Sequence, residues 1–170
     1  MKRGENEARQ YQTFEDLEVY QVAREFRKAM YRVAKRLPGE EKFRLVSQIC
    51  RAAFSLTNNI AEDHGRFHFL EQIKFMLQAR GSPEELLDDL NVCEDEKYLP
   101  KADLDSLKTD AWRVHKLING YIRYLRSRKA TAAGCLQETP EDDTEDDLDG
   151  LGPNEADVRF IASSLQRYNE

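Results

Sequence analysis

The sequence predicts an all-α protein: an antiparallel up-down four-helix bundle with a disordered acidic C-terminal tail and a short terminal helix. Three observations predict it. Apolar residues recur at steps of three and four over four long stretches, which is the helical period. Helix-ending residues separate these stretches at close intervals, so the connections are short and successive helices should run antiparallel. Charge is also unevenly spread: residues 130–170 hold 2 basic and 11 acidic residues, leaving 24 basic and 21 acidic ones in residues 1–129. A body near +3 and a tail of −9 divide the chain into a folding unit over 1–129, an acidic linker over 130–153 and a terminal segment over 154–170.

The first helix is predicted over about 14–37. Val19, Ala23, Phe26, Met30, Val33 and Leu37 form its apolar face, and Pro38-Gly39 ends it. The second, over about 41–64, carries Leu45, Ile49, Ala52, Ala53, Leu56 and Ile60 on one stripe, and Val46, Cys50, Phe54 and Ala61 widen that stripe to one side. The outer helix of a monomeric bundle needs about 100° of apolar surface. The excess predicts burial on two sides, against the bundle and against another subunit. The third helix, over about 67–99, shows Phe69, Leu70, Ile73, Met76 and Leu77, then Leu86, Leu90 and Cys93. Between these runs Gly81 interrupts, and Ser82-Pro83-Glu84-Glu85 has the form of a new helix start, so a kink or restart is expected there. The fourth, over about 101–128, repeats Leu104, Leu107, Ala111, Val114, Ile118, Tyr121 and Leu125 at alternating steps of three and four, the pattern of a left-handed bundle seam.

Beyond 129 the periodicity stops. Residues 138–149 hold eight acids in twelve positions and are expected to be disordered. A short amphipathic segment follows, with Asn154 as its cap and Val158, Ile161, Leu165 and Tyr168 on one face.

Composition narrows the function classes. No apolar run reaches 18 residues and no charged-then-apolar leader is present, so neither a membrane span nor a secretory signal is expected. Cys50, Cys93 and Cys135 are odd in number and lack paired-ligand spacing, which fits a reducing cytoplasm and small core-filling thiols. No phosphate loop or nucleophile elbow is found, and no cofactor is expected. His64, His68 and Glu71 would have ligand spacing on one helix, but Gly65 between the histidines breaks that geometry, so no metal is expected. The acidic stretch from Glu145 to Gly150 mimics the start of a calcium loop, yet Pro153 and Ala156 occupy two of its ligand positions. No convergent acid, base and nucleophile set points to catalysis.

Two constellations are candidates for function. Arg24, Lys28, Arg32, Lys35 and Arg36 on the first helix, with Arg123, Arg126, Arg128 and Lys129 on the fourth, are cations able to contact phosphates. Gln48, Arg51, Ser55, Asn59, Glu62 and Arg66 follow steps of three and four along the second helix beside its apolar stripe. They form either a solvated edge or one polar network at a subunit seam.

Taken together, these residues resemble a known family. Leu45 to Arg66 (LVSQICRAAFSLTNNIAEDHGR) is similar to the signature of the four-helix-bundle proteins encoded in intervening sequences of bacterial 23S ribosomal RNA genes. Gly81 to Leu90 (GSPEELLDDL), Phe14 to Ala23 (FEDLEVYQVA) and the turn at Pro38 to Glu41 resemble further parts of its pattern. Departures are Asp63, where the family usually has glycine, and Pro83, where leucine is common. The resemblance implies an antiparallel bundle that assembles as a ring-like homopentamer, with no catalytic residues. It also implies kinship with the accessory variability protein of diversity-generating retroelements, a basic pentamer that binds nucleic acid and a reverse transcriptase. The expected partners are therefore further copies of the chain, RNA or DNA, and a reverse transcriptase, with no membrane. The competing expectation is a pentameric scaffold with no nucleic-acid role, whose C-terminal segment recruits a protein.

Overall fold

The computed structural model describes residues 13–134, and all its regular structure is helical. Thr13 opens it with a capping box. Its hydroxyl accepts from the Glu15 N–H at 3.3 Å, and its own N–H donates to the Asp16 carboxylate at 2.8 Å. A short 3-10 turn, Phe14–Asp16, follows, and extended backbone at Leu17 separates it from α1, Glu18–Ala34. The predicted first helix therefore starts later and ends earlier than 14–37.

A second 3-10 turn, Gly39–Phe43, leads into α2, Leu45–His64. Glu41 joins these pieces. One carboxylate oxygen accepts from the Leu45 N–H, one of the unpaired donors of the first helical turn, and the other accepts from the Tyr98 hydroxyl at 3.1 Å. Gly65 caps α2, and after a short turn α3 spans Phe69–Asp95.

α3 corrects the expected restart: it runs unbroken through Gly81, Ser82 and Pro83, and Ser82 and Pro83 are both buried. A proline inside a helix lacks a donor and crowds the carbonyl four residues earlier. Here it faces Ala79, and the small residues Ala79, Gly81 and Ser82 surround the step. Gly81 itself has no positive φ, and a Cβ there would meet nothing within 4 Å. Gly81→Ala is expected to raise stability by about 0.5–1 kcal/mol, the helical cost of glycine, in urea unfolding. A loss of stability instead would mean that something outside the single chain packs over this position.

α3 ends in a Schellman motif. The Tyr98 N–H donates to the Cys93 carbonyl at 2.9 Å and the Lys97 N–H to the Glu94 carbonyl at 3.1 Å, with Lys97 at φ 57° where glycine is usual. α4 then spans Lys101–Gly134, longer than the predicted 101–128 and past the expected domain boundary at 129. The acidic linker and terminal helix read from the sequence lie outside the described residues.

The helices pack as neighbours in the order α1, α2, α3, α4 and back to α1. Met30, Ile49, Leu56, Ile60, Met76, Leu86, Leu90, Ile118 and Ile122 are fully buried in one core. The first three predicted helices place their core stripes there, with the exceptions of Leu70 and Leu77, which stand on the outside of α3. Cys93 is buried among them and burial pushes its thiol up to about 11, the behaviour of an inert core filler. No helix among the described residues is long and apolar enough to cross a membrane.

Candidate nucleic-acid interface and subunit seam

The basic residues of α1 form a line because four-residue steps return to nearly the same side of a helix. Arg24, Lys28, Arg32 and Lys35 lie opposite the face that buries Ala23, Phe26, Met30 and Val33. Successive cations are about 6 Å apart along the axis. The line's flanks are tied down. On one side Arg27 donates to the Thr57 hydroxyl of α2 at 2.7 Å, and on the other Arg36 pairs with Asp103 of α4 at 2.8 Å. Arg36 is thus paired across helices, and like Arg24, Arg32 and Lys35 it is exposed. Lys28 pairs with Glu25 at 2.6 Å and holds that carboxyl below its usual range.

The second set of cations does not join this line. The Arg36–Asp103 pair puts the end of α1 beside the start of α4, whereas Arg123, Arg126, Arg128 and Lys129 occupy the far end of α4. Arg126 and Arg128 are exposed there, and Arg123 and Lys129 are half-buried with partners of their own. The structure therefore presents two separate basic surfaces.

The polar row of α2 divides into three groups within one chain. Arg51 donates to the Gln48 side chain at 2.8 Å and pairs with Glu85 of α3 at 3.0 Å. The Asn59 amide donates to Ser55, through its hydroxyl and its carbonyl. Glu62 accepts from Asn58 at 2.7 Å and pairs with Arg66 at 3.7 Å. Arg51 and Glu62, expected in one network, belong to different groups. Both Arg51 and Glu85 are more than half exposed, so their pair contributes about 0–1 kcal/mol to the single chain. The helix does not persist through Gly65 either. Arg66 lies in the turn beyond it, with its guanidinium 4.7 Å from the centre of the Phe75 ring.

The wide apolar arc of α2 behaves as two surfaces. Leu45, Ile49, Ala52, Ala53, Leu56 and Ile60 face the core. Val46, Cys50 and Ala61 are half-covered, and Phe54 is 57% exposed. Phe54 points straight outward, midway between Thr57, which is bonded to α1, and Arg51, which is bonded to α3. Phe43, in the turn before α2, is 85% exposed.

Histidine positions resolve the remaining chemistry. His64 ends α2 and His68 precedes α3, so the two do not share a helix. His115 lies within hydrogen-bond distance of Glu84 across α3 and α4 and of Asn119, with Trp112 against its ring. This is a packed bundle-surface position.

In the sequence Asp63 stands out only as a departure from the family pattern, with no role attached to it. It is 0% exposed, and neither carboxylate oxygen has a hydrogen-bond partner of normal geometry. Burial pushes its carboxyl up to about 7, against an opposing influence from the Tyr121 hydroxyl. The signal was present: Leu56, Ile60 and Asp63 continue the core stripe at steps of four and three.

Residues 15–120 match the family described as 23S rRNA-intervening sequence protein. The chain belongs to this family. A crystal structure from Bacteroides thetaiotaomicron VPI-5482, described as a protein with unknown function from the S23 ribosomal protein family, has a similar fold. Its TM-score is 0.59 at 24% identity, over 64% of this chain and 98% of that one. At that identity the likeness speaks for the bundle alone. No curated protein matches the chain. The match covers the bundle as far as the middle of α4, and residues 121–170, with the core residues Ile122 and Leu125 among them, lie beyond it.

Proposed function

We propose that this family member is a non-catalytic, ring-forming accessory protein of the cytoplasm. It binds nucleic acid through its subunits' basic faces and assists a reverse transcriptase of a diversity-generating retroelement. The observation that carries the nucleic-acid part is the outward line of Arg24, Lys28, Arg32 and Lys35 on a rigid helix. Evenly spaced cations on one side suit a phosphate backbone and confer no base specificity. The homopentamer and the polymerase rest on the resemblance noted above, and the exposed Phe43 and Phe54 support assembly.

The test is titration of single-stranded RNA into the full chain at several stated salt concentrations. Binding should weaken steeply with salt, and a variant carrying Arg24→Gln, Arg32→Gln and Lys35→Gln should bind less tightly. Loss of about three phosphate contacts would flatten the slope of log K against log salt by about two units for single strands. A wild-type protein that fails to bind at low salt would support the second reading, a pentameric scaffold that recruits a protein partner. The observation favouring that reading is the net charge of −6 on the whole chain.

A further inference from the structure

Near the end of α4 the bundle carries an apolar surface that its own core does not cover. Phe67 is 97% exposed, Leu70 60% and Leu77 37%. Leu70 and Leu77 are two turns apart on the outer side of α3, about 10 Å along its axis. Exposed Lys74 lies between them. α4 brings further positive charge to the same place. Lys108 and His115 reach α3 through Glu94 and Glu84, which fixes the face of α4 turned toward α3. Arg126 lies about five helical turns past Lys108, so it returns to that face. The two antiparallel pairs also set the register: moving from His115 up to Arg126 moves back along α3 from Glu84 to the level of Lys74. An apolar strip with a cation on either side results, Lys74 on the side toward Glu85 and Arg126 on the side toward α4.

The chain itself contains a segment of matching chemistry. Val158, Ile161, Leu165 and Tyr168 share one side at helical spacing, and eight acids at 138–149 precede them. The segment is tethered where it is needed. The last residue of α4, Gly134, is about 12 Å beyond Arg126, and a connection of 19 residues, 135–153, has a reach of roughly 25 Å. A tether of that length holds its end at an effective concentration on the order of millimolar. An amphipathic face of four apolar residues laid into an apolar groove is a recurrent mode of helix recognition. The preceding acids would then lie over Arg126 and Arg128.

We propose that the outer face of α3 beside α4, built on Phe67, Leu70 and Leu77 and edged by Lys74 and Arg126, is the docking surface for the chain's own segment 154–168. The inference goes beyond the nucleic-acid reading and does not depend on it. Docking lays the acidic stretch along the second basic surface of α4 and leaves the basic line of α1 open.

Amide hydrogen exchange of the full chain, without nucleic acid, tests it. At millimolar effective concentration, a contact with a dissociation constant near 0.1 mM is about 90% formed, so amides of residues 158–166 should exchange about tenfold slower than in a free peptide. Leu70→Ser with Leu77→Ser should return them to the free rate, and so should Ile161→Asp with Leu165→Asp. The first pair alters exposed side chains, and the amides of α1 to α4 report that the bundle is intact. Free-chain exchange in the wild type overturns the proposal. So does protection that survives Leu70→Ser with Leu77→Ser, which would place the segment elsewhere. Dissociation of an oligomer by that variant, with exchange at 158–166 unchanged, would assign the face to a second copy instead.

Discussion

Asp63→Asn is expected to stabilise this protein at pH 8 by about 1–3 kcal/mol and to give none of that gain at pH 4, where the carboxamide's unmet hydrogen bonds make the variant the less stable protein. The sign follows from burial. Asp63 has a folded-state value of about 7 against an ordinary 3.8, so folding favours its neutral form. Below the ordinary value the carboxyl is protonated in both states and folding carries no ionisation penalty. As pH rises from about 4 to about 7 the unfolded chain ionises freely while the folded chain resists, and stability falls throughout that window. Three pKa units correspond to about 4 kcal/mol, the upper limit, and the carboxamide's own unmet hydrogen bonds take back roughly 1–3 kcal/mol. Urea unfolding of both proteins at pH 4, 5.5, 7 and 8 measures the difference directly. Exposed ion pairs such as Glu25 with Lys28 are common to both proteins and cancel. A difference that is the same at pH 4 and pH 8 would show that Asp63 titrates normally.

If the proposed ring forms, Phe54→Asp is expected to dissociate it into folded subunits. Phe54 contributes little to the core of its own chain, so the bundle should survive the change. At a seam the same ring would be buried against a neighbour, and a charged replacement at such a central aromatic commonly costs about 2–4 kcal/mol per interface. That corresponds to a roughly 30- to 1000-fold weaker contact, repeated at every interface of a closed ring. Light scattering at micromolar concentration should show the wild type near five times the subunit mass and the variant near one. A monomeric wild type would remove the ring, and an unchanged variant would move the seam away from α2.

The core was legible in the sequence because burial obeys the helical period. Val19 to Val33 in α1 and Leu45 to Ile60 in α2 required only counting, and so did the surplus apolar arc that leaves Phe54 outside; in α4 the same count puts Leu107 and Tyr121 in the seam, although both are only partly covered and Ile122 is the fully buried residue. Features decided by tertiary neighbours were not legible. Pro83 carries every local sign of a helix start, yet packing of Ser82, Pro83 and Leu86 into the core keeps α3 continuous. The row from Gln48 to Arg66 is regular, but Arg51 turns to Glu85, a partner that helical spacing on α2 could not reveal. Arg36 looked like a fifth member of a basic line until Asp103 claimed it. Asp63 was hidden differently, since a polar residue at a core position breaks the pattern used to find core positions.

The length of α4 has a geometric consequence. α4 has 34 residues and α1 has 17, so α4 extends about 25 Å further along the bundle axis in total. The bearing of Gly134 about the axis of this rod is a function of residue count. Each residue removed from α4 turns its last residue by about 100° and draws it back by about 1.5 Å. Removing two residues swings that last residue to nearly the opposite side, while removing four restores the original side to within about 40°. Position along α4 thus works like the indexed head of a dial, each residue a fixed step of bearing and height.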